Sequence, residues 1–207
     1  MESIRPKQFL RKYEMEELFD KILNLHQESI EKELIFNDAK KAAVSLIINH
    51  YQINNPSIVL IKRNEYDGHH SGQMAFPGGK MDITDSSLSD TAIRESFEEI
   101  GIQLETSNLK ELSPVWVKVS NFVIYPYLTI VNKKLEFDIN KREINRIFEI
   151  PVSLFREANN LKAHKISILG KEYWSPYFEF EGETIWGATA LILYQNIYLE
   201  NPLSKNI

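Results

Sequence analysis

The run Phe76-Pro77-Gly78-Gly79-Lys80, followed at a short distance by Arg94-Glu95-Ser96-Phe97-Glu98-Glu99-Ile100-Gly101-Ile102, restricts this chain more than any other stretch. A double glycine lets backbone approach its neighbours where a Cβ would stop it. The acidic run reads as a helix over residues 86–100. Asp85, Ser86 or Ser87 can cap its start, and Gly101 suits the left-handed residue just past its end. At about 100° per residue, Leu88, Ala92, Ser96 and Ile100 line one side, while Thr91, Arg94, Glu95, Glu98 and Glu99 gather on the other. One side packs and the other faces outward.

Glu95 stands four residues from Glu99 and three from Glu98, so like charges crowd one surface. Each such pair costs a few tenths of a kcal/mol, a penalty that a bound divalent cation would reverse. Carboxylate oxygens suit a hard cation such as Mg²⁺, which keeps waters and takes its remaining ligands from substrate phosphates. A glycine carbonyl beside the helix could add a further ligand. Alone, a Glu-rich helix face is ordinarily solvated surface, and a lone double glycine says less still. Their fixed order and spacing point to phosphate chemistry.

The remainder of the chain sets the frame. Its 207 residues, 43% hydrophobic and 26% charged, fit one globular domain with a small extension. Lys plus Arg number 24 against 29 Asp plus Glu, a net charge of -5, so no broad nucleic-acid footprint is expected and an anionic ligand must be held locally. The absence of cysteine excludes a disulfide framework, a thiolate zinc site and a cysteine nucleophile. The start lacks a signal-like apolar stretch and no apolar run is long enough to span a bilayer, so the reading is a soluble cytoplasmic protein with no membrane partner.

Residues 9–33 are charge-rich, with Leu18, Ile22, Leu25 and Ser29 at helical spacing. They read as an amphipathic helix against the domain or against a second subunit, the latter making a homodimer. Strands are expected at residues 42–49 and 57–62, joined by the turn residues Asn54-Asn55-Pro56, and at 115–119, 124–131 and 177–180. A second helix is expected over residues 187–198. Strands mixed with helices give a layered α/β or α+β domain. The partition is an N-terminal helical extension at 1–40 and the main domain at 41–207.

His69 and His70 follow an Asp67-Gly68 turn signal, but no Cys or second His pair completes a zinc site, which favours a substrate-loop role. Trp116, Trp174 and Trp186 suit base stacking or, more commonly, a core.

The acidic stretch resembles the signature of the Nudix hydrolases, Gly-x5-Glu-x7-Arg-Glu-U-x-Glu-Glu-x-Gly-U with U aliphatic. Residues 94–102 match its second half, with Ser96 in place of an aliphatic. Counting from Gly79, Asp85 stands at the first Glu, and eight residues rather than seven separate it from Arg94. That longer spacing, with Phe76-Pro77 before the glycines, is similar to the coenzyme A diphosphatase branch. The branch's upstream pattern, Leu-Leu-Thr-x-Arg-Ser-x-x-Leu-Arg-x-His-x-Gly-Gln, aligns with residues 59–73 and is matched at Arg63, His70, Gly72 and Gln73. Asn64 replaces the Ser, and Asp67-Gly68 replaces Leu-Arg. Glu143-Ile144, residues 148–154 and residues 185–190 extend the resemblance.

The resemblance implies the Nudix fold, a mixed β-sheet sandwiched between α-helices. It implies Mg²⁺ or Mn²⁺ held by Gly79, Glu95, Glu98 and Glu99, with Arg94 orienting the acidic cluster through Asp85 and Glu98 serving as metal ligand or base. Arg63, His70 and Gln73 would bind a small-molecule nucleoside diphosphate substrate. For coenzyme A the products would be 4′-phosphopantetheine and adenosine 3′,5′-bisphosphate. ADP-ribose or a dinucleotide on the same machinery is the nearest alternative, and a nucleotide-binding regulator without hydrolysis is a different one. An isopentenyl diphosphate isomerase, which typically uses a catalytic cysteine, does not fit a cysteine-free chain.

Overall fold

The computed structural model describes residues 38–65, 71–117, 120–168 and 171–199. The extension expected at 1–40 and its helix over 9–33 lie almost wholly outside them. Strand β1 (Lys40–Asn49) organises the sheet. Its residues are buried from Ala42 onward except for half-buried Val44, as expected of a strand covered on both faces. One edge runs parallel to β7 (Phe122–Val131) through ten consecutive pairs, Lys40↔Phe122 to Asn49↔Val131. The other edge is shared by two antiparallel partners. β4 (Gly78–Lys80) takes Ala42 to Val44, and β2 (Ser57–Arg63) takes Ile48 and Asn49. Ser45, at the changeover, donates its N–H to the Pro77 carbonyl at 2.8 Å.

The eight-stranded mixed sheet is completed by β3 (Met74–Ala75), β5 (Lys110–Glu111), β6 (Val115–Val117) and β8 (Ile144–Pro151). Helix α1 (Leu88–Ile100) covers one face, against Ala43, Ile47, Val59 and Ile61. The short α2 (Val152–Arg156), α3 (Gly187–Leu193) and a three-stranded antiparallel sheet of β9 (Lys162–Ile168), β10 (Lys171–Phe180) and β11 (Glu183–Trp186) cover the other. There Leu46, Ile48, Ile58 and Leu60 meet Phe155, Phe178, Ile185 and Tyr194 in one cluster, with Phe155 edge-on to Phe178 at 5.2 Å. Each such buried side chain stabilises the fold by about 1.5–3 kcal/mol relative to exposure.

The expected mixed sheet between helices is therefore present. All five expected strands are found: residues 42–49 begin at Lys40, 124–131 begin at Phe122, 57–62 reach Arg63, 177–180 form the end of β10, and 115–119 contain Val115–Val117, its last two residues lying outside the described ones. The helix expected over 187–198 stays α-helical only through Leu193 and widens into a π turn over Tyr194–Tyr198. β9 was not anticipated because its Lys-Ala-His-Lys pattern belongs to a sheet with one open face, where apolar residues are sparse.

Both ends of α1 follow from local chemistry. Ser87 is the cap, its hydroxyl accepting from Asp90 N at 3.1 Å. Gly101, at φ 73°, closes the helix with its N–H on the Phe97 carbonyl, and Ile102 N reaches Ser96 O. The last carbonyls are taken by Asp138 N on Ile100 O and Asn140 N on Glu99 O, both at 3.0 Å. Ser87→Ala removes the side-chain acceptor of the Asp90 N–H. It should lower stability by about 1 kcal/mol in urea denaturation, and an unchanged midpoint would show that Asp85 or Ser86 caps instead.

Candidate active site

Two glycines bring α1 and β4 together, each for a different contact. Gly78 lies at φ 151°, and a Cβ there would sit 2.4 Å from the Ala43 carbonyl oxygen of β1. At Gly79 a Cβ would fall 2.5 Å from Glu95 Oε1 and 2.7 Å from Oε2, so the Glu95 carboxylate rests directly on the glycine. One turn later Glu99, 1% exposed, accepts the Gly78 N–H at 2.9 Å through Oε2. Its Oε1 accepts from Arg63 Nη2 at 3.2 Å, and the same nitrogen donates to the Gly78 carbonyl at 2.9 Å. Arg63 reaches this point from the end of β2, where the register with β8 slips between Lys62 and Arg63.

Arg94 holds the outer half. Its Nε and Nη2 form a two-pronged pair with Asp85, each at 2.9 Å, while Nη1 donates to Glu95 Oε1 at 2.9 Å and Glu98 Oε2 at 3.1 Å. Asp85 also accepts from Thr91 Oγ1 and from Asp82 N, both at 2.8 Å. One guanidinium thus ties the loop before the helix to two helix carboxylates, a geometry that lysine could not reproduce.

The electrostatics separate the acids. The Arg94 hydrogen bonds hold the Asp85 carboxyl well below the usual carboxylate range. Burial pushes Glu99 up to about 7, against the opposing Arg63 charge and Gly78 N–H, with Glu95 and Glu143 adding to the rise. Burial also raises Glu95, opposed by Arg94. Glu98 is the open member, its side chain 54% exposed.

The outward side expected from periodicity needs correction at Glu99 and Thr91, which are buried. The helix packs on the sheet across the paired strands β1 and β4, with Glu99 bonded to Gly78, so its packed arc is wider than one apolar stripe. Of the expected substrate residues, Arg63 lies in the cluster. Gln73 lies on the adjoining turn, its carbonyl accepting the Arg63 N–H at 3.1 Å, and His70 lies outside the described residues. Sequence reasoning missed Ser45, a polar residue inside the apolar run of β1, whose buried hydroxyl meets Ser96. The signal was a serine pointing to the same sheet face as Ala43 and Ile47.

No three acidic or imidazole side chains converge into a ready metal cage among the described residues. Arg94 and Arg63 instead hold the carboxylates. The donor chemistry fits a hard cation nonetheless. Two buried or largely buried carboxylates with raised pKa sit against a glycine backbone, and positive charge there would offset their desolvation. A cleft of about 320 Å³ lined by Asp85, Ile93, Arg94, Phe97, Glu98 and Gln103 reaches the open edge of the cluster, not Gly79. No helix among the described residues is long and apolar enough to cross a membrane.

The family model of the NUDIX domain matches residues 40–169. A Yersinia enterocolitica protein named "Uncharacterized Nudix hydrolase NudL" is 35% identical over 142 residues, 67% of this chain and 71% of that protein. Its Yersinia pestis counterpart is 36% identical over 143 residues, 67% and 69% of the two chains. Among solved structures, a MutT/nudix family protein from Enterococcus faecalis shares the fold at TM-score 0.54 and 16% identity, covering 90% of this chain and 73% of that one. The chain belongs to the Nudix hydrolase family, enzymes that act on nucleoside diphosphate derivatives and generally use divalent cations such as Mg²⁺ or Mn²⁺.

Because Glu99 binds its proton more tightly folded than unfolded, the folded state loses stability as pH rises from the ordinary 4.5 through about 7. Metal-free protein should lose on the order of 3 kcal/mol across that window from this group. Glu99→Gln should flatten the trend in urea melts with chelator at about pH 5 and about pH 8. The same slope in both proteins would contradict the burial argument.

Proposed function

We propose that this chain hydrolyses the diphosphate bridge of coenzyme A. The observation that carries the reading is the meeting of Arg63 with Glu99 at Gly78, which joins the upstream pattern and the acidic helix in one cluster. The spacing from Gly79 to Asp85 and on to Arg94, and the Phe76-Pro77 setting, support the same branch.

Gly79, Glu95, Glu98 and Glu99 would hold Mg²⁺ or Mn²⁺. When bound, the cation supplies charge neutralisation on the diphosphate oxygens and a lowered pKa for water. Arg94, anchored on Asp85, keeps Glu95 and Glu98 aimed at one place. Glu98, the exposed carboxylate, serves either as a further metal ligand or as the general base that takes the proton from the attacking water, a role that an acid on a later loop could fill in its place. The water oxygen bonds to one phosphorus, the bridging P–O bond breaks, and two phosphomonoesters leave, 4′-phosphopantetheine and adenosine 3′,5′-bisphosphate. Arg63, His70 and Gln73 contact the substrate. The N-terminal extension, whose expected last residue Lys40 instead opens β1, would cover the domain or pair two copies as a homodimer, and the enzyme would work in the cytoplasm without nucleic acid.

Gly68 where the branch pattern has Arg favours a second reading, ADP-ribose or a dinucleotide. That replacement removes a charge-assisted contact worth on the order of 1.5–3 kcal/mol. A panel of coenzyme A, ADP-ribose, dinucleotides and nucleoside triphosphates with Mg²⁺ or Mn²⁺ separates the two. Coenzyme A should be cleaved, and Gly68→Arg should lower its KM more than that of ADP-ribose. Efficient cleavage of ADP-ribose with coenzyme A untouched would overturn the substrate. At limiting Mg²⁺, Glu99→Gln should lower turnover at least about tenfold with folding retained, and near-normal turnover would overturn the metal assignment.

A further inference from the structure

Ser96 stands where the family signature has an aliphatic residue, and both it and Ser45 are fully buried. Ser96 Oγ lies 2.8 Å from Ser45 Oγ and 2.8 Å from the Ala92 carbonyl, to which Ser45 Oγ donates at 3.1 Å. The hydrogens balance. The Ser45 hydroxyl donates to Ala92, the Ser96 hydroxyl donates to Ser45 or Ala92, and neither buried oxygen is orphaned. A serine bonding back to the carbonyl four residues earlier is a common helix feature by itself. The strand partner is what sets this pair apart.

Ser45 touches both halves of the site. Its N–H goes to the Pro77 carbonyl at 2.8 Å, at the head of Gly78-Gly79, and its side chain goes to α1 at Ala92 and Ser96, between which Glu95 lies. The fit being held is tight. Glu95 has no room for a Cβ at Gly79, and Glu99 must reach the Gly78 N–H. An aliphatic contact resists compression but tolerates sliding and rotation, whereas a directional hydrogen bond does not. We infer that Ser45 and Ser96 are positioning residues, a hydroxyl pair that fixes α1 in register with Gly78-Gly79 so that Glu95 and Glu99 are presented to the cation. This rests on the reading that those carboxylates hold it.

The test uses Ser45→Ala, Ser96→Ala and the double variant of the full chain, with four readouts. They are thermal stability without metal, Mn²⁺ affinity by calorimetry without substrate, hydrogen exchange at the Gly78 amide without metal, and turnover at saturating Mn²⁺. Both single variants should fold. Ser45→Ala, which removes both bonds from the strand to α1, should bind Mn²⁺ roughly tenfold more weakly, exchange the Gly78 amide faster and recover turnover at saturating Mn²⁺. Ser96→Ala, which leaves Ser45 bonded to the Ala92 carbonyl, should show a smaller loss of the same kind. The double variant should lose little more than Ser45→Ala, since both hydroxyls serve one network. Folded variants with wild-type Mn²⁺ affinity and wild-type Gly78 exchange overturn the inference. If an alanine variant does not fold, Ser96→Cys, which keeps a weaker donor, carries the test and should show an intermediate loss, wild-type affinity again overturning it. Glu99→Gln serves as the reference. Lost Mn²⁺ affinity there with none lost in the serine variants overturns the positioning claim alone, and unchanged affinity in Glu99→Gln overturns the metal assignment together with it.

Discussion

The Gly78 N–H donates to a carboxylate that is almost wholly out of water, and the surrounding architecture follows from making that contact feasible. Gly78 must lack a side chain for β4 to lie against β1, Gly79 must lack one for Glu95 to lie over it, and α1 must lie close on the face that these paired strands form. Burying a carboxylate there is costly unless charge and hydrogen bonds answer it. Arg63 supplies the charge from the end of β2, and the Gly78 amide supplies the hydrogen bond. Their effect is incomplete, since burial still pushes Glu99 to about 7. A site whose acid is under-compensated in this way has a use for a cation.

The two arginines differ in what they fix. Arg94 is saturated by Asp85, Glu95, Glu98 and the Lys80 carbonyl, joining the loop at Asp82–Asp85 and the end of β4 to the exposed face of the helix. Arg63 bridges a backbone carbonyl and a buried acid, joining β2 to β4 and α1. Breaking either contact would leave a partly buried charge without its partner, which costs more than the pair itself gains. The acidic helix is therefore held by two guanidinium groups, of which Arg63 also borders the turn through its N–H on the Gln73 carbonyl.

Much of this was legible in the sequence where local chemistry decides the outcome. The ends of α1 follow from Ser87 and Gly101, and the clustering of Glu95, Glu98, Glu99 and Arg94 follows from helical spacing. Tertiary context hid the rest. Glu99 looks outward on a helical wheel and is buried because Gly78 of β4 and Arg63 from the end of β2 close over its carboxylate. The π turn at Tyr194 and the strand β9 carry no strong period of their own, and Ser45 is silent until its partner across the helix is seen. Ser96, a departure from the family signature, was visible as a substitution, and its meaning required Ser45.

The central claim is that this cluster directs water onto one phosphorus of a diphosphate with the help of a divalent cation. The most direct measurement is mass spectrometry of the products of coenzyme A turnover in ¹⁸O-labelled water, with Mg²⁺ and again with excess chelator. The account predicts 4′-phosphopantetheine and adenosine 3′,5′-bisphosphate, with one solvent oxygen in one of the two and no turnover in chelator. Binding of coenzyme A without products, products free of solvent oxygen, or undiminished turnover in chelator would contradict it.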